Sequence, residues 1–295
     1  MMIPHPFHKA RVLLTCAGLF CCLPQIVVAE VPEKGGIIDA HFHAMSNQPD
    51  GLDKAVALLD AQGVTLAIDH PIKTSRPKND EERQIMLANF ERHKGRFERF
   101  CIIEPSEVGT VEEAVAILEK EKKEGAIGFG EHYGAGLFFD DPANLRLYAA
   151  CAKAGLPVMF HMDGARNKDT EDFKHLENAL RSHPDCIFIA HGPAWWKGFA
   201  AGHCDRLMKA YPNLYADLSA GSGAKALGRD KNQTTQFMKD HSTKLLFGTD
   251  CGWWSLKPNE KPAPQFALMK ELDLPHDVKV LIYRGNAERL FGFKE

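Results

Sequence analysis

Eight short, β-rich apolar runs recur along the chain: IIDAHFH, TLAIDH, FERFCIIE, AIGFGEH, PVMFHMD, CIFIAH, NLYADLS and KLLFGTD. Each is followed by a polar or glycine-rich loop and then by a segment with helical spacing. The spacing predicts helices over LDKAVALLDAQ, DEERQIMLANFERHK, TVEEAVAILEKEKK, NLRLYAACAKAG, DFKHLENALRSH, HCDRLMKAYP, TTQFMKDHS and NAERLFG. Thr110, with Glu113 three residues on, forms a capping-box start for the third of these. A strand that must return through a helix pairs in parallel with its neighbour, because the crossover travels back along the sheet. Eight such units in about 250 residues fit a closed (β/α)8 barrel, so the expected fold class is α/β, a TIM barrel forming one domain over residues 30–295. A doubly wound open sheet is the rival, but it carries a glycine fingerprint after its first strand, and here HAMSNQPDG follows instead.

Polarity is placed unevenly along these runs. Nearly every run starts apolar and ends in an ionisable group, and the C-terminal ends of the strands are where a parallel barrel gathers its active site. In a strand, residues i and i+2 face the same way, so His41 and His43 are expected to point together into the barrel while Phe42 points out. Two imidazoles on one face suit a divalent ion. Glu131, His161, His191 and Asp250 end the fourth, fifth, sixth and eighth runs, adding imidazole and carboxylate ligands around the same mouth. Zinc is the default ion for such ligands, as one or two ions, although iron, manganese and cobalt take similar sites.

Residues 1–29 read as a segment apart. Lys9 and Arg11 precede the apolar stretch VLLTCAGLFCCLPQIVVA, which ends with Val27 and Ala29 where a signal peptidase prefers small residues. A cleaved signal peptide predicts a periplasmic or secreted protein with no stable membrane insertion after cleavage. The formal charge of −3 is spread over 36 basic and 39 acidic residues with no long block of one sign, which argues against nucleic acid as a partner. Cys101, Cys151, Cys186, Cys204 and Cys251 are scattered and odd in number, so they make no disulfide framework. No feature fixes an interface, and a homo-oligomer is left open.

The order of these motifs resembles the amidohydrolase superfamily of metal-dependent hydrolases. DAHFH matches its first-strand motif, MFHMD and IAHGP its fifth and sixth strands, LLFGTD its eighth, and GNAERLFG the closing helix of the amidohydrolase-related branch. The resemblance implies His41, His43, His161 and Asp250 as metal ligands, and Glu131, where many relatives carry a carboxylated lysine, as a bridging or additional ligand. His191 is implied as a ligand if two ions bind and otherwise as the residue holding a metal-bound water. It also implies hydrolysis of a small-molecule amide, ester, lactone or phosphoester by a metal-activated water, with Asp250 moving the proton. Two alternatives stand beside it: a metal-dependent decarboxylase of the same superfamily, and a non-catalytic exported barrel that binds a metal or ligand. The loops after the strands set substrate choice. In HGPAWWKG, Trp195 and Trp196 are expected to stack on a ring or cover the metal, with one of them packing between loop and helix. In DGARNKD, Arg166, Asn167 and Lys168 are expected to donate to a carboxylate or phosphate, and DLSAGSGAKALGRD, with Ser219, Ser222 and Arg229, reads as a glycine-rich lid.

Overall fold

The computed structural model describes residues 35–256 and 261–293, and the expected signal segment, residues 1–29, lies outside them. Nine strands form one sheet: β1 Ile37–His43, β2 Val64–Asp69, β3 Phe97–Cys101, β4 Ala126–His132, β5 Val158–His161, β6 Phe188–His191, β7 Leu214–Asp217, β8 Leu245–Leu246 and β9 Cys251–Gly252. Every pairing is parallel, in the spatial order β8-β7-β6-β5-β4-β3-β2-β1-β9. The two end strands are consecutive in the chain, and the residues between them bond to β1: Ala40 N donates to Phe247 O at 2.9 Å and Asp250 N to His41 O at 2.8 Å. The sheet therefore closes into a barrel. The eight expected runs occupy its positions; the last contains β8, and the chain bends at Asp250, its final residue, before the additional short strand β9.

Two apolar layers hold the barrel. An inner cluster of Ile38, Ala40, Ile68, Phe100, Met159, Ile189 and Leu246 fills the interior, joined by Ala287 and edged by Leu290, Phe291 and Phe293 of the C-terminal segment. A much larger outer cluster packs the strands against the helices and contains Phe42. Ile38 and Ala40 thus face inward while Phe42 faces outward, and pairing with β2 slips between Asp39 and Phe42. That irregularity lets the inner face of β1 change from apolar to imidazole within one strand.

The expected helices occur, and the start of Val111–Lys123 shows the capping box: Thr110 Oγ1 accepts from Glu113 N at 3.1 Å, and Glu113 Oε2 accepts from Thr110 N at 3.2 Å. The glycine-rich stretch expected as a lid is instead the helix Ala220–Leu227. It packs on Pro264–Glu271, whose buried Gln265 donates to Leu218 O and Ala220 O at 3.2 and 2.5 Å and so ties the start of the helix to that segment. Among the described residues, all five cysteines are free thiols, four of them buried, and no helix is long and apolar enough to cross a membrane.

Candidate metal centre

β1 supplies the first group. His41 is fully buried; its Nδ1 donates to Asp217 Oδ2 at 2.7 Å, and its Nε2 lies 3.0 Å from His43 Nε2. His43 Nδ1 donates to the carbonyl of His70 at 2.7 Å. Asp250 completes the group, with Oδ1 3.1 Å from His43 Nε2 and 3.7 Å from His41 Nε2. Asp250 has φ 56°, in the left-handed region that disfavours side chains with a Cβ, and its amide is held on His41 O. Asp39 anchors this bend: its carboxylate accepts from Thr249 N at 2.9 Å, Thr249 Oγ1 at 2.6 Å and His41 N at 3.1 Å. Burial pushes the Asp39 carboxyl up to about 7 in spite of those bonds.

A second group meets at Glu131. Oε1 accepts from His161 Nδ1 at 2.6 Å and lies 3.4 Å from His191 Nε2, while Oε2 lies 3.4 Å from His43 Nε2 and 3.7 Å from His41 Nε2. One carboxylate thus spans both groups, an oxygen to each. The register of β5 on β6 pairs His161 with His191, which sets the two rings side by side with centroids 5.2 Å apart. His161 contacts Glu131, His191 and Asp163 rather than His41 and His43, so the expected ligands fall into two overlapping clusters.

Asp217, at the end of β7, is the residue that sequence reasoning missed. Its Oδ2 accepts from His41 Nδ1 and lies 3.3 Å from His191 Nδ1, and Ser219 Oγ donates to the same oxygen. Ser219 Oγ also sits 2.9 Å from His191 Nδ1, so this serine belongs to the buried support of the site and not to a lid. Burial pushes the Asp217 carboxyl up, but its bonds with His191 and His41 outweigh burial and hold it well below the usual carboxylate range. Burial likewise opposes ionisation of Glu131 and Asp250, and the surrounding histidines reverse the sign at both. The clue in sequence was LYADLS, an acid ending a strand as in the other runs.

The family model described as Amidohydrolase matches residues 38–293. The chain belongs to the amidohydrolase family. Solved structures with this fold include an uncharacterised TIM-barrel protein from Bordetella bronchiseptica (TM-score 0.62, 19% identity, 87% of this chain and 98% of that one). Another is a proposed 2-pyrone-4,6-dicarboxylic acid hydrolase from Pseudomonas putida (TM-score 0.63, 15% identity, 88% and 98%). A third is a 5-carboxyvanillate decarboxylase from Novosphingobium aromaticivorans, complexed with manganese and a nitrobenzoic acid (TM-score 0.53, 15% identity, 81% and 80%). No curated protein matches the chain.

The donor set of this amidohydrolase chain fits a divalent ion. A carbonyl accepts and never donates, so the His43 Nδ1 that faces His70 O carries hydrogen, and in the neutral ring Nε2 keeps its lone pair. His41 is oriented the same way by Asp217. Two ring nitrogens 3.0 Å apart with lone pairs converging are stable only with a cation, proton or metal, between them. Fixing each ring through its other nitrogen is the arrangement that orients imidazole metal ligands.

The substrate-facing residues need correcting. Trp195 and Trp196 are 0% and 1% exposed, in the short helix Pro193–Lys197, against Phe173, Phe199 and Phe237. Their large apolar surface is worth more in the core than over a polar mouth. Trp253 and Trp254 are the exposed pair instead, at 50% and 38%, just after Asp250, and the Trp254 ring lies 5.3 Å from that of His43. Asn167 is fully buried at φ 49°, and its Nδ2 donates to His132 O at 2.7 Å and His161 O at 2.9 Å, so it braces the β4 and β5 ends rather than facing a substrate. Lys168 is tied by its backbone, donating to Leu137 O and accepting from Phe139 N. Arg166 remains half exposed, its guanidinium 4.8 Å over the ring of Tyr133, whose hydroxyl donates to Glu131 Oε2 at 2.9 Å. A cleft of about 430 Å³ opens beside these loops between Asp163, Phe173, Ala194 and Lys197, and Asp163 joins it to His161 at 3.4 Å.

Proposed function

We propose that this amidohydrolase is a metal-dependent hydrolase of a small carbonyl or phosphoryl substrate. The observation that carries the reading is the convergence of His41 Nε2, His43 Nε2 and Asp250 Oδ1, with both imidazoles fixed through their Nδ1 atoms. His41, His43 and Asp250 would hold one divalent ion, and Glu131, His161 and His191 a second, with Glu131 between them. A divalent ion in such a site lowers the pKa of water to about 7 and polarises a substrate oxygen. Zinc fits the imidazole and carboxylate donors, and manganese, present in the decarboxylase neighbour, fits them as well.

The chain's own residues divide the remaining work. Asp250 is 25% exposed where Glu131 and Asp217 are nearly sealed, so it is the carboxylate that meets incoming water. Its oxygens are therefore the ones placed to take a proton from the attacking water and return it to the leaving group. His191, set by Ser219 and Asp217 through Nδ1, holds its Nε2 toward Glu131 and Asp250, 3.4 and 3.9 Å away. Arg166 offers a guanidinium to a substrate carboxylate at the rim.

A second reading, decarboxylation, is favoured by Trp254 beside His43 together with Arg166: a flat wall and a cation suit a ring that carries a carboxylate. Metal analysis by mass spectrometry, beside His41→Ala and Glu131→Ala, tests the metal reading. Two equivalents falling toward one in Glu131→Ala support the bridged hydrolytic pair. One equivalent indifferent to Glu131 moves the reading to a mononuclear site, and none after supplementation refutes both. Screening lactones and esters against hydroxybenzoates, with carbon dioxide release as the second readout, separates the two reactions.

A further inference from the structure

The second run, TLAIDH, ends in an acid and an imidazole like the runs that supply candidate ligands, yet neither Asp69 nor His70 joins the clusters of the metal centre. Both are buried, and both turn to β1 instead. His70 N donates to Phe42 O at 2.8 Å, and His70 O accepts from His43 Nδ1 at 2.7 Å. The His70 ring reaches further back, where Nε2 donates to Ala40 O at 2.9 Å. Asp69 Oδ1 accepts from Ala44 N at 2.7 Å, just beyond His43. The end of β2 thus grips the whole stretch of β1 that carries the two imidazoles.

That stretch needs a grip because its ladder is interrupted. Asp39 pairs with Ala67 and Phe42 with Asp69, so β1 has Ala40 and His41 where β2 has Ile68 alone. An extra residue in one strand disrupts the ladder and bends the strand. The bend has a use here: Ala40 lies in the inner apolar cluster while His41, the next residue, faces the metal centre, which a regular period of two does not allow. Among the described residues neither Ala40 nor His41 has a paired residue on β2, and the His70 ring brings the Ala40 carbonyl a donor from that side. The same ring is fully buried, its centroid 4.7 Å from that of His41 and 4.2 Å from that of Phe100, between the apolar interior and the imidazole mouth.

We propose that His70 is a positioning residue of the metal centre: by its ring on Ala40 and its backbone on Phe42 and His43 it sets the spacing at which His41 Nε2 and His43 Nε2 converge. The inference rests on the metal reading of that site. A carbonyl only accepts, so the ring nitrogen facing Ala40 O carries hydrogen, and a side chain that lacks a donor there leaves the bulge held by backbone alone.

Cobalt(II) is the probe, its Kd read by competition with a chelator and its coordination by the visible spectrum of the bound ion, in the parent, His70→Phe and His70→Gln. Phenylalanine keeps a ring and loses the donor, whereas glutamine loses the ring and keeps an N–H in about the same place. His70→Phe should raise the cobalt Kd about tenfold or more and change the spectrum, while His70→Gln should stay within about threefold and keep it. A lower Tm in His70→Phe with Kd and spectrum unchanged would make the ring packing only and overturn the proposal, as would an equal loss in both variants. A parent that takes up no cobalt removes the metal reading and this inference with it; a parent that binds, with no difference among the three, removes this inference alone. Whether or not His70→Phe folds, a nitrogen-15 spectrum of the histidine rings in the metal-loaded parent, assigned with His70→Gln, should show hydrogen on His70 Nε2. Hydrogen on Nδ1 alone overturns the proposal.

Discussion

Replacing Asp217 by Asn removes a negative charge while keeping shape, and the consequence follows from two bonds. His41 Nδ1 donates to Asp217 Oδ2 at 2.7 Å with both side chains fully buried, and His191 Nδ1 lies 3.3 Å from the same oxygen. An amide presents one oxygen, which cannot replace a carboxylate that also takes the Ser219 hydroxyl on Oδ2 and its amide on Oδ1 at 3.0 Å. A charge-assisted bond contributes about 1.5–3 kcal/mol, and loss of a group that orients a metal ligand weakens metal binding about 10–100-fold, which is about 1.4–2.7 kcal/mol. The two estimates agree. Asp217→Asn should therefore fold and raise the metal Kd about 10–100-fold, measured by competition with a chromophoric chelator. Asp217→Ala should do more, because it leaves the His41 Nδ1–H buried without an acceptor. A Kd within about twofold of the parent in both variants would refute the argument that Asp217 positions His41.

Gly248→Ala should lower stability by about 1–3 kcal/mol, seen as a fall in Tm, because the new Cβ would lie 2.3 Å from Asp217 Oδ1 and 3.0 Å from His41 Cβ. An unchanged Tm with unchanged metal binding would contradict the close packing there. The buried ion network offers a pH test: Glu121 bonds Arg99 Nη1 at 2.8 Å and Arg83 Nη2 at 2.9 Å, and although burial opposes it, the two arginines hold its carboxyl below the ordinary value. A depressed folded pKa contributes stability above the unfolded value, about 4.3, and loses it as pH falls through the folded one. Urea denaturation should therefore show Glu121→Gln costing on the order of 3 kcal/mol at neutral pH, with the gap to the parent closing below about pH 4; a gap constant with pH would count against it. Trp254→Ala should raise KM for a ring-bearing substrate about tenfold while changing the metal Kd less than about threefold, since the ring flanks His43 without bonding to it. An equal loss in both would make Trp254 a support of the site and not a wall for substrate.

Local signals carried the frame. The apolar runs and the helical spacing between them were legible because strand and helix periods are written residue by residue, and the Thr110 cap was legible because it spans three positions. The bend at Asp250 and the short strand after it were not, since they depend on Asp250 being held on His41 O by a strand about two hundred residues earlier. Likewise GSGA reads as a loop by composition, yet it lies within the helix Ala220–Leu227, whose start is tied by Gln265 to Pro264–Glu271, a segment distant in sequence.

The sequence by itself determined the chemistry available: histidines and carboxylates at the ends of parallel strands, which the barrel must bring to one mouth because parallel strands share a direction. Tertiary structure decided how those groups are used. It put Glu131 between two clusters, made Asp217 the support of both His41 and His191, buried Trp195 and Trp196, and left Trp253 and Trp254 at the rim. Those outcomes depend on which side of a loop packs against which helix, a competition for buried area between distant segments that no local pattern of residues records.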